Sequence, residues 1–318
     1  MRSVYFEHSG PGRRPFDGGL LWPAPPGRAA RKPQEKMLSD FDHDRCAVLI
    51  GQADGLLITA GAGMGVDSGL PDFRGREGFW RAYPALGRAR IDFMDIATPQ
   101  AFRDQPALAW GFYGHRLALY RRVTPHEGFR LLREIAAALE HGAFVFTSNV
   151  DGHFQKAGFA ADRVHECHGS IHHLQCLDCC TDEYWSADAF IPQVDERRCL
   201  LTGELPRCPH CGGLARPNVL MFGDWEWLSG RSNRQAAALR RWLNTVRRPV
   251  VIEIGAGTAV PTVRRFGERL GVPLIRINVA EPAVARAQDI GVAAGARDTL
   301  RGIHAALRAQ GLLPGASP

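Results

Sequence analysis

From about residue 54 the chain alternates between short, continuous apolar runs and longer segments of mixed polarity. The runs Gly55–Ala60, Ala143–Thr147 (AFVFT), Pro249–Ile254 (PVVIEI) and Pro273–Asn278 (PLIRIN) place β-branched or aromatic residues at successive rather than alternate positions. That is the pattern of strands buried on both faces of a parallel sheet. Between or after them, Pro125–Leu139, Asn233–Val246 and Val260–Leu270 read as helices. Strand, crossover and strand in this order predict an α/β fold with a doubly wound, Rossmann-like parallel sheet. Two regions break the rhythm. Residues 1–36 are crowded with Pro, Gly and Arg and show no period, which predicts a flexible tail. An extension of the reading frame upstream of Met37, or a transit peptide, are alternative readings of that segment. The stretch Cys176–Cys211 has little apolar periodicity yet holds six of the eight cysteines, which predicts an insert with its own cross-link.

Composition narrows the class. A chain of 318 residues with 45% hydrophobic content has room for one large domain plus an insert, and its length is in the range where a substantial core forms. No apolar run approaches the roughly 20 residues that span a bilayer, and the first 36 residues lack the compact apolar stretch of an export signal. A cytoplasmic protein without a membrane partner is expected. The formal charge of +6 rests on arginine, the only lysines being Lys32, Lys36 and Lys156. That excess tolerates anionic ligands, but spread over so long a chain it reads as solvated surface rather than a nucleic-acid footprint. Eight cysteines without an export signal point to metal or thiol chemistry instead of disulfides.

The insert carries the most specific chemistry. Cys176-Leu-Asp-Cys179 and Cys208-Pro-His-Cys211-Gly-Gly form two C-x2-C knuckles. Two close pairs of thiolates are what tetrahedral zinc requires, and the glycines after Cys211 allow a tight turn with amides facing the sulfurs. The predicted ligands of one structural zinc are therefore Cys176, Cys179, Cys208 and Cys211, with Cys180 and Cys199 spare. Four thiolates leave no open position for water, which excludes a catalytic role for the ion.

Residues 61–75, GAGMGVDSGLPDFRG, follow directly on the first strand. Gly61, Gly63 and Gly65 form G-x-G-x-G, with Val66 where a dinucleotide fingerprint has its third glycine, so an ordinary dehydrogenase is disfavoured. Glycines after a strand still let backbone approach a pyrophosphate held by the following helix start. A glycine-rich turn without a ligand is the plainer alternative. Pro71-Asp72-Phe73-Arg74 adds a rigid bend, an acid, an aromatic plate and a fixed cation, groups that suit a ligand with phosphates and a flat ring.

With these residues in view, the chain resembles the sirtuins, NAD-dependent protein lysine deacylases. The resemblance rests on GAGMGVDSGLPDFRG, then TSNVDGHFQKAG (147–158), HECHGS (165–170), the cysteine knuckles, RPNVLMFGD (216–224), IGAGTAVPTV (254–263) and INVAE (277–281), in the family's order over roughly residues 50 to 300. It implies NAD as co-substrate, one structural zinc, and an acylated protein or peptide as partner. It places Ala62, Gly63, Asp72, Phe73, Arg74, Ser148, Asn149, Asp151, Gly255, Gly257 and Asn278 around the cofactor, Asn278 on the adenosine ribose. His168 would be the base that takes a proton from a ribose hydroxyl, a task suited to a group titrating near working pH. Val219 would flank the acyl-lysine tunnel, and Phe222-Gly223-Asp224 would form the strand edge onto which a peptide adds. The expected organisation is a tail (1–36) and a catalytic domain (37–318). The domain divides into a sheet core (about 45–74, 140–170 and 217–312), a helical module (about 75–139) and a zinc insert (about 171–216).

Departures from the family pattern mark a divergent, bacterial-type member. Ser148 stands for the usual glutamine, Phe154 for a histidine, Gly65 for a serine, and Ala256-Gly257 for a Thr-Ser pair. Family members that remove acidic acyl groups place a Tyr and an Arg three apart in the helix past the cofactor loop; Tyr83 and Arg88 are five apart and do not support such a preference. Three function classes stay open: a deacylase, an ADP-ribosyltransferase or NAD glycohydrolase sharing the pocket, and a zinc-ribbon adaptor without catalysis. By residue type alone, His165, Cys167, His168, His172 and His173 also admit a metal site.

Overall fold

A computed structural model describes residues 40–71 and 75–313. In chain order it contains β1 (Gly55–Ala60), β2 (Ala143–Thr147), β3 (Val164–Glu166), β4 (Gly169–Cys176), β5 (Tyr184–Ser186), β6 (Val194–Asp195), β7 (Leu200–Leu201), β8 (Ala215–Val219), β9 (Pro249–Ile254), β10 (Leu274–Ile277) and β11 (Ile290–Val292). Three of the four expected strands appear with the expected bounds, and the fourth is trimmed to β10. The tail, residues 1–36, lies outside the described residues.

Six strands form a parallel sheet in the order β11-β10-β9-β1-β2-β3, with β1 at the centre between β9 and β2. Every residue of β1 is buried, which explains its lack of alternation. Leu56 and Ile58 pack into one core with Ile50, Leu132, Ile135, Leu300 and Ile303, whereas Leu57 joins Phe144, Trp242, Val251 and Val263 on the opposite face. Successive side chains of a strand point to opposite faces, so helices Asp40–Gly51, Glu127–Ala137 and Ala296–Ala309 cover one side. Helices Gly230–Leu243 and Thr262–Arg269 cover the other. Each buried Leu or Ile here contributes roughly 1.5–3 kcal/mol of transfer free energy.

A second region holds the antiparallel sheet β5-β4-β8 and the ribbon β6-β7. Its core gathers Phe79, Phe102, Trp110, Phe112, Tyr113 and Leu117 from the helices with Ile171 and Leu174 from β4. Helix Pro106–Arg122 links the parts: Trp110 donates its indole N–H to the Ala215 carbonyl of β8 at 2.9 Å. Helix Glu127–Ala137, expected in the helical module, packs instead on the large sheet through Phe129, Leu132 and Ile135. Only Cys167 and His168 separate β3 of the large sheet from β4 of the small one.

Candidate functional site

The carboxyl ends of β1, β2, β3, β9 and β10 meet along one edge of the sheet. The chain winds from β1 towards β3 on one side and from β9 towards β11 on the other. The crevice between β1 and β9 is therefore a topological switch point, where open α/β sheets bind ligands. The two glycine loops interlock there: Gly61 donates its N–H to the Ile254 carbonyl and Gly63 to the Gly255 carbonyl, both at 3.0 Å. Gly255 has φ of +61°, and a Cβ on it would run into the backbone of Gly63. Ala62 is exposed and Gly63 half-buried at the mouth. Asp72, Phe73 and Arg74 lie outside the described residues.

One residue unremarked in the sequence fixes this loop. His126 caps helix Glu127–Ala137 by accepting the Gly128 N–H on Nδ1 at 3.0 Å. Its Nε2 therefore carries the proton and donates to the Met64 carbonyl, also at 3.0 Å. Burial holds this imidazole below its usual range, which preserves the neutral form the geometry needs.

On β2, Thr147 donates its hydroxyl to the Ala60 carbonyl at 2.8 Å and accepts the Asn149 N–H at 3.0 Å. Asn149 donates Nδ2–H to the Gly61 carbonyl at 3.0 Å, which fixes its amide beside the glycine loop. Ser148 is half-buried beside it. Asp151 is buried and accepts the His153 N–H at 2.9 Å. Phe154 packs against Phe129 and Phe159 in the apolar core. Asn278 is spent within the protein: Nδ2 donates to the Ala256 carbonyl at 2.9 Å, and Oδ1 accepts the N–H groups of Ala280 and Glu281 at 3.0 Å. Its side chain shapes the turn after β10. Gly257 is exposed, and a Cβ there would meet nothing nearer than Glu281 Oε2 at 4.0 Å.

His168 occupies the joint between the two sheets. Cys167 donates its N–H to Thr147 and Leu220 its N–H to the His168 carbonyl, each at 2.9 Å. Gly169, at φ of +81°, lets β4 press on the Asn218 carbonyl of β8. The His168 ring is half-buried, and burial alone lowers its pKa. Its histidine neighbours do not join it in a metal site. His165 pairs with Ser232 at 3.0 Å, and burial with the Arg240 and Arg231 charges pushes it down to about 4. His172 donates to the Asp151 carbonyl at 2.9 Å. Among the described residues, only a cysteine cluster has the geometry to hold a metal.

Next to His168, Val219 is buried at the end of β8. The Phe222-Gly223 segment corrects an expectation. It is a turn rather than an extended edge, and the Phe222 N–H is already donated to the Ala97 carbonyl at 2.9 Å. The physical cause is Asp224, whose carboxylate folds back onto the fully buried Arg216 at 2.7 and 2.8 Å and onto the Met221 N–H at 3.3 Å. That ion pair closes the chain on itself between residues 216 and 224.

The zinc ligands also need one correction. The thiols of Cys176, Cys180, Cys208 and Cys211 all lie within 4.8 Å of one another, with Cys176–Cys211 at 3.7 Å and Cys180–Cys208 at 3.6 Å. A tetrahedron with zinc–sulfur bonds of ~2.3 Å has edges of about 3.8 Å, so this donor set fits one zinc ion. Cys179 has φ of +47°, which swings its thiol away to the Glu226 carbonyl at 3.1 Å and presents Cys180 instead. The first knuckle is thus C-x3-C, and the adjacent cysteine pair was the signal that left both spacings open. Burial by itself would raise the Cys208 thiol, yet the Cys211 and His210 amides and the Cys180 and Cys211 thiols outweigh it and bring it down to about 7.

Helix Pro106–Arg122 supplies a pair that the Tyr83/Arg88 comparison passed over: Tyr113 and Arg116, three apart and both buried. Arg116 Nε donates to the Tyr120 hydroxyl at 2.9 Å, and its guanidinium lies over the rings of Phe112, Tyr113 and Tyr120. The i, i+3 spacing inside one helix was present in the sequence.

Known proteins bear on this geometry. A model of the Sir2 family matches residues 61–258. An NAD-dependent protein deacylase of Pyrococcus furiosus is 38% identical over 164 residues, covering 52% of this chain and 59% of that protein. An NAD-dependent protein deacylase of Thermococcus kodakarensis is 31% identical over 247 residues, covering 77% of this chain and 87% of that protein. The crystal structure of a Sir2 homologue–NAD complex superposes with a TM-score of 0.65 at 22% identity, covering 85% of this chain and 94% of that one.

Proposed function

The chain belongs to the Sir2 family, and from that premise we propose that it is an NAD-dependent protein lysine deacylase. The acyl group passes from a lysine side chain to ADP-ribose, leaving free lysine and nicotinamide. The observation that carries this reading is the position of His168. It stands at the joint between the ligand-binding edge of the large sheet and the small module, with burial favouring its neutral, proton-accepting form.

The switch-point crevice suits the dinucleotide, because its interlocked glycine loops are too close-packed for side chains. Ala62, Gly63, Ser148, Asn149, Asp151, Gly255, Gly257 and Asn278 would hold it, and the family resemblance adds Asp72, Phe73 and Arg74. NAD supplies an electrophilic anomeric carbon and the hydroxyls that receive the acyl group. The protein's own part is to orient, exclude water and move one proton. Asn149 is aimed by Gly61, the loop is pinned by His126, and His168 accepts the hydroxyl proton. The acyl-lysine enters beside Val219 at the end of β8. Zinc serves structure alone, since four thiolates fill its coordination. The catalytic domain is residues 37–318. The setting is cytoplasmic, consistent with the absence, among the described residues, of any helix long and apolar enough to cross a membrane.

The Tyr113–Arg116 pair favours an acyl group ending in a carboxylate, because a guanidinium recognises that group with charge-assisted hydrogen bonds. The test is mass spectrometry of the protein with NAD and peptides bearing acetyl- or succinyl-lysine. Expected products are free peptide and O-acyl-ADP-ribose, formed by the wild type and absent with His168→Ala. Arg116→Met should lower kcat/KM for the succinyl peptide about 10- to 100-fold, as loss of a charged hydrogen bond implies, with the acetyl peptide much less affected. Untouched peptides with nicotinamide and free or protein-linked ADP-ribose would mean glycohydrolase or ADP-ribosyltransferase chemistry instead.

A further inference from the structure

A cavity of about 600 Å³ lies where the end of helix Gly75–Ala82, the helix Pro106–Arg122 and the ribbon β6-β7 meet. None of its lining residues belongs to the dinucleotide crevice, the acyl-lysine path or the thiol cluster. Its rim holds three guanidiniums, Arg81, Arg88 and Arg197, against the single carboxylate of Glu196. All three arginines are exposed, and among the described residues none forms an ion pair with a carboxylate. Arg88 donates to the Arg197 carbonyl at 3.1 Å, which ties the ribbon to the helical side and keeps two of the cations near each other.

The walls are of a different kind. Ala82, Pro84 and Val194 give them an apolar surface, and the Cys199 thiol beneath is driven up to about 12 by burial, so it is inert filling. One polar contact breaks the apolar wall: the Tyr83 hydroxyl and His115 Nδ1 share a hydrogen bond of 3.0 Å. We propose that this cavity is a second ligand site, which takes a small organic dianion, a dicarboxylate or a phosphomonoester, with an apolar body. The net excess of two positive charges on the rim matches a dianion, and the planar guanidinium fork pairs with carboxylate and phosphate alike. The volume lies within the range of small-molecule sites, and the mix of apolar wall and few polar groups is typical of them. The site also adjoins the helix that begins directly after Pro71–Arg74, the stretch assigned to the dinucleotide loop.

The experiment is isothermal titration calorimetry on the full-length, zinc-loaded protein without NAD or peptide, using adipate, phenyl phosphate and inorganic phosphate. The expected result is saturable one-to-one binding of adipate or phenyl phosphate, which also tells the two sources of charge apart. Inorganic phosphate should bind at least about tenfold more weakly for want of an apolar body. Arg88→Ala/Arg197→Ala, both at exposed positions, should weaken binding at least about tenfold through lost charged hydrogen bonds. No saturable heat, affinity indifferent to the double substitution, or equal binding of inorganic phosphate would each overturn the assignment. Because no turnover is measured, the outcome is independent of the deacylase reading.

Discussion

The large sheet and the small module solve the problem of stability by different means. The large sheet is apolar on both faces of β1, and its charged interior is confined to places such as Glu253, which meets Arg276 across β9 and β10. Burial of this kind is non-directional, so one altered contact is absorbed by many others. The small module has strands of only two or three residues in β5, β6 and β7. Much of its order comes from directional groups: the Arg216–Asp224 pair, the four thiols, and a buried network in which Gln175 Oε1 accepts from Asn218 Nδ2 at 2.9 Å and from the Leu228 N–H at 3.1 Å. Such groups hold completely or fail at a cost, because a buried polar atom that loses its partner keeps its desolvation penalty. His168 sits where the two regimes join, so the proposed chemistry depends on both.

The largest expected effect tests that joint. His168→Ala should lower kcat by roughly 10²- to 10⁴-fold, the usual worth of a positioned general base, while NAD binding by calorimetry and the melting temperature stay near wild type. If NAD binding and stability fall with activity, the histidine is a structural splice between the sheets and the proposed base must be sought elsewhere.

The next sharpens the difference between the regions. Cys180→Ser should release zinc, measured by atomic absorption, and expose residues near 177–214 to limited proteolysis while the large sheet survives, since metal binding free energy is folding free energy for such a site. Cys179→Ser should retain a full equivalent of zinc. Zinc loss from the Cys179 variant with retention in the Cys180 variant would restore the C-x2-C knuckle and refute the geometry described above. Smaller still, Arg216→Met should cost about 3–5 kcal/mol in urea unfolding by stranding the Asp224 charge, whereas Arg216→Met/Asp224→Leu should recover much of that loss.

The same physical contrast decides what could be read from the sequence. Continuous apolar runs announce β1, β2 and β9 to the residue, because a strand buried on both faces leaves no other pattern. The glycine loop that meets Gly255 was legible from its motif, whereas the roles of His168, Asn149 and Asp151 rest on the proposed deacylase chemistry. In the small module the outcome turns on single torsions and pairings. A positive φ at Cys179 moves the ligand by one position, and an ion pair eight residues apart in sequence folds Phe222-Gly223 into a turn. Which atoms the Asn278 amide meets within the protein depends on a turn that no local propensity dictates. Tyr113 and Arg116 were plain in their spacing once helix Pro106–Arg122 was the frame, and hidden while the search stayed near residues 80–90.

The smallest effect is graded with pH and falls on the joint again. His165 and His168 stand on either side of Glu166 and Cys167, and burial lowers both; His165 reaches about 4. In the unfolded chain each histidine titrates near its ordinary value of ~6.5. Between that value and the folded pKa, the unfolded state binds more protons than the folded one, so stability falls as pH falls through this window. For a buried group such as His165 the slope approaches about 1.4 kcal/mol per pH unit. The melting temperature should therefore decline steadily from pH 7 to 4.5, and His165→Gln should flatten the decline. The activity limb has the same sign and a separate origin. Because His168 must be neutral to accept a proton, kcat/KM should rise with pH through a pKa below the usual imidazole range and be level by about pH 7. An acid limb centred above ~6.5 would show that a charged group, and not burial, governs the base, and would place an unrecognised anion beside the joint.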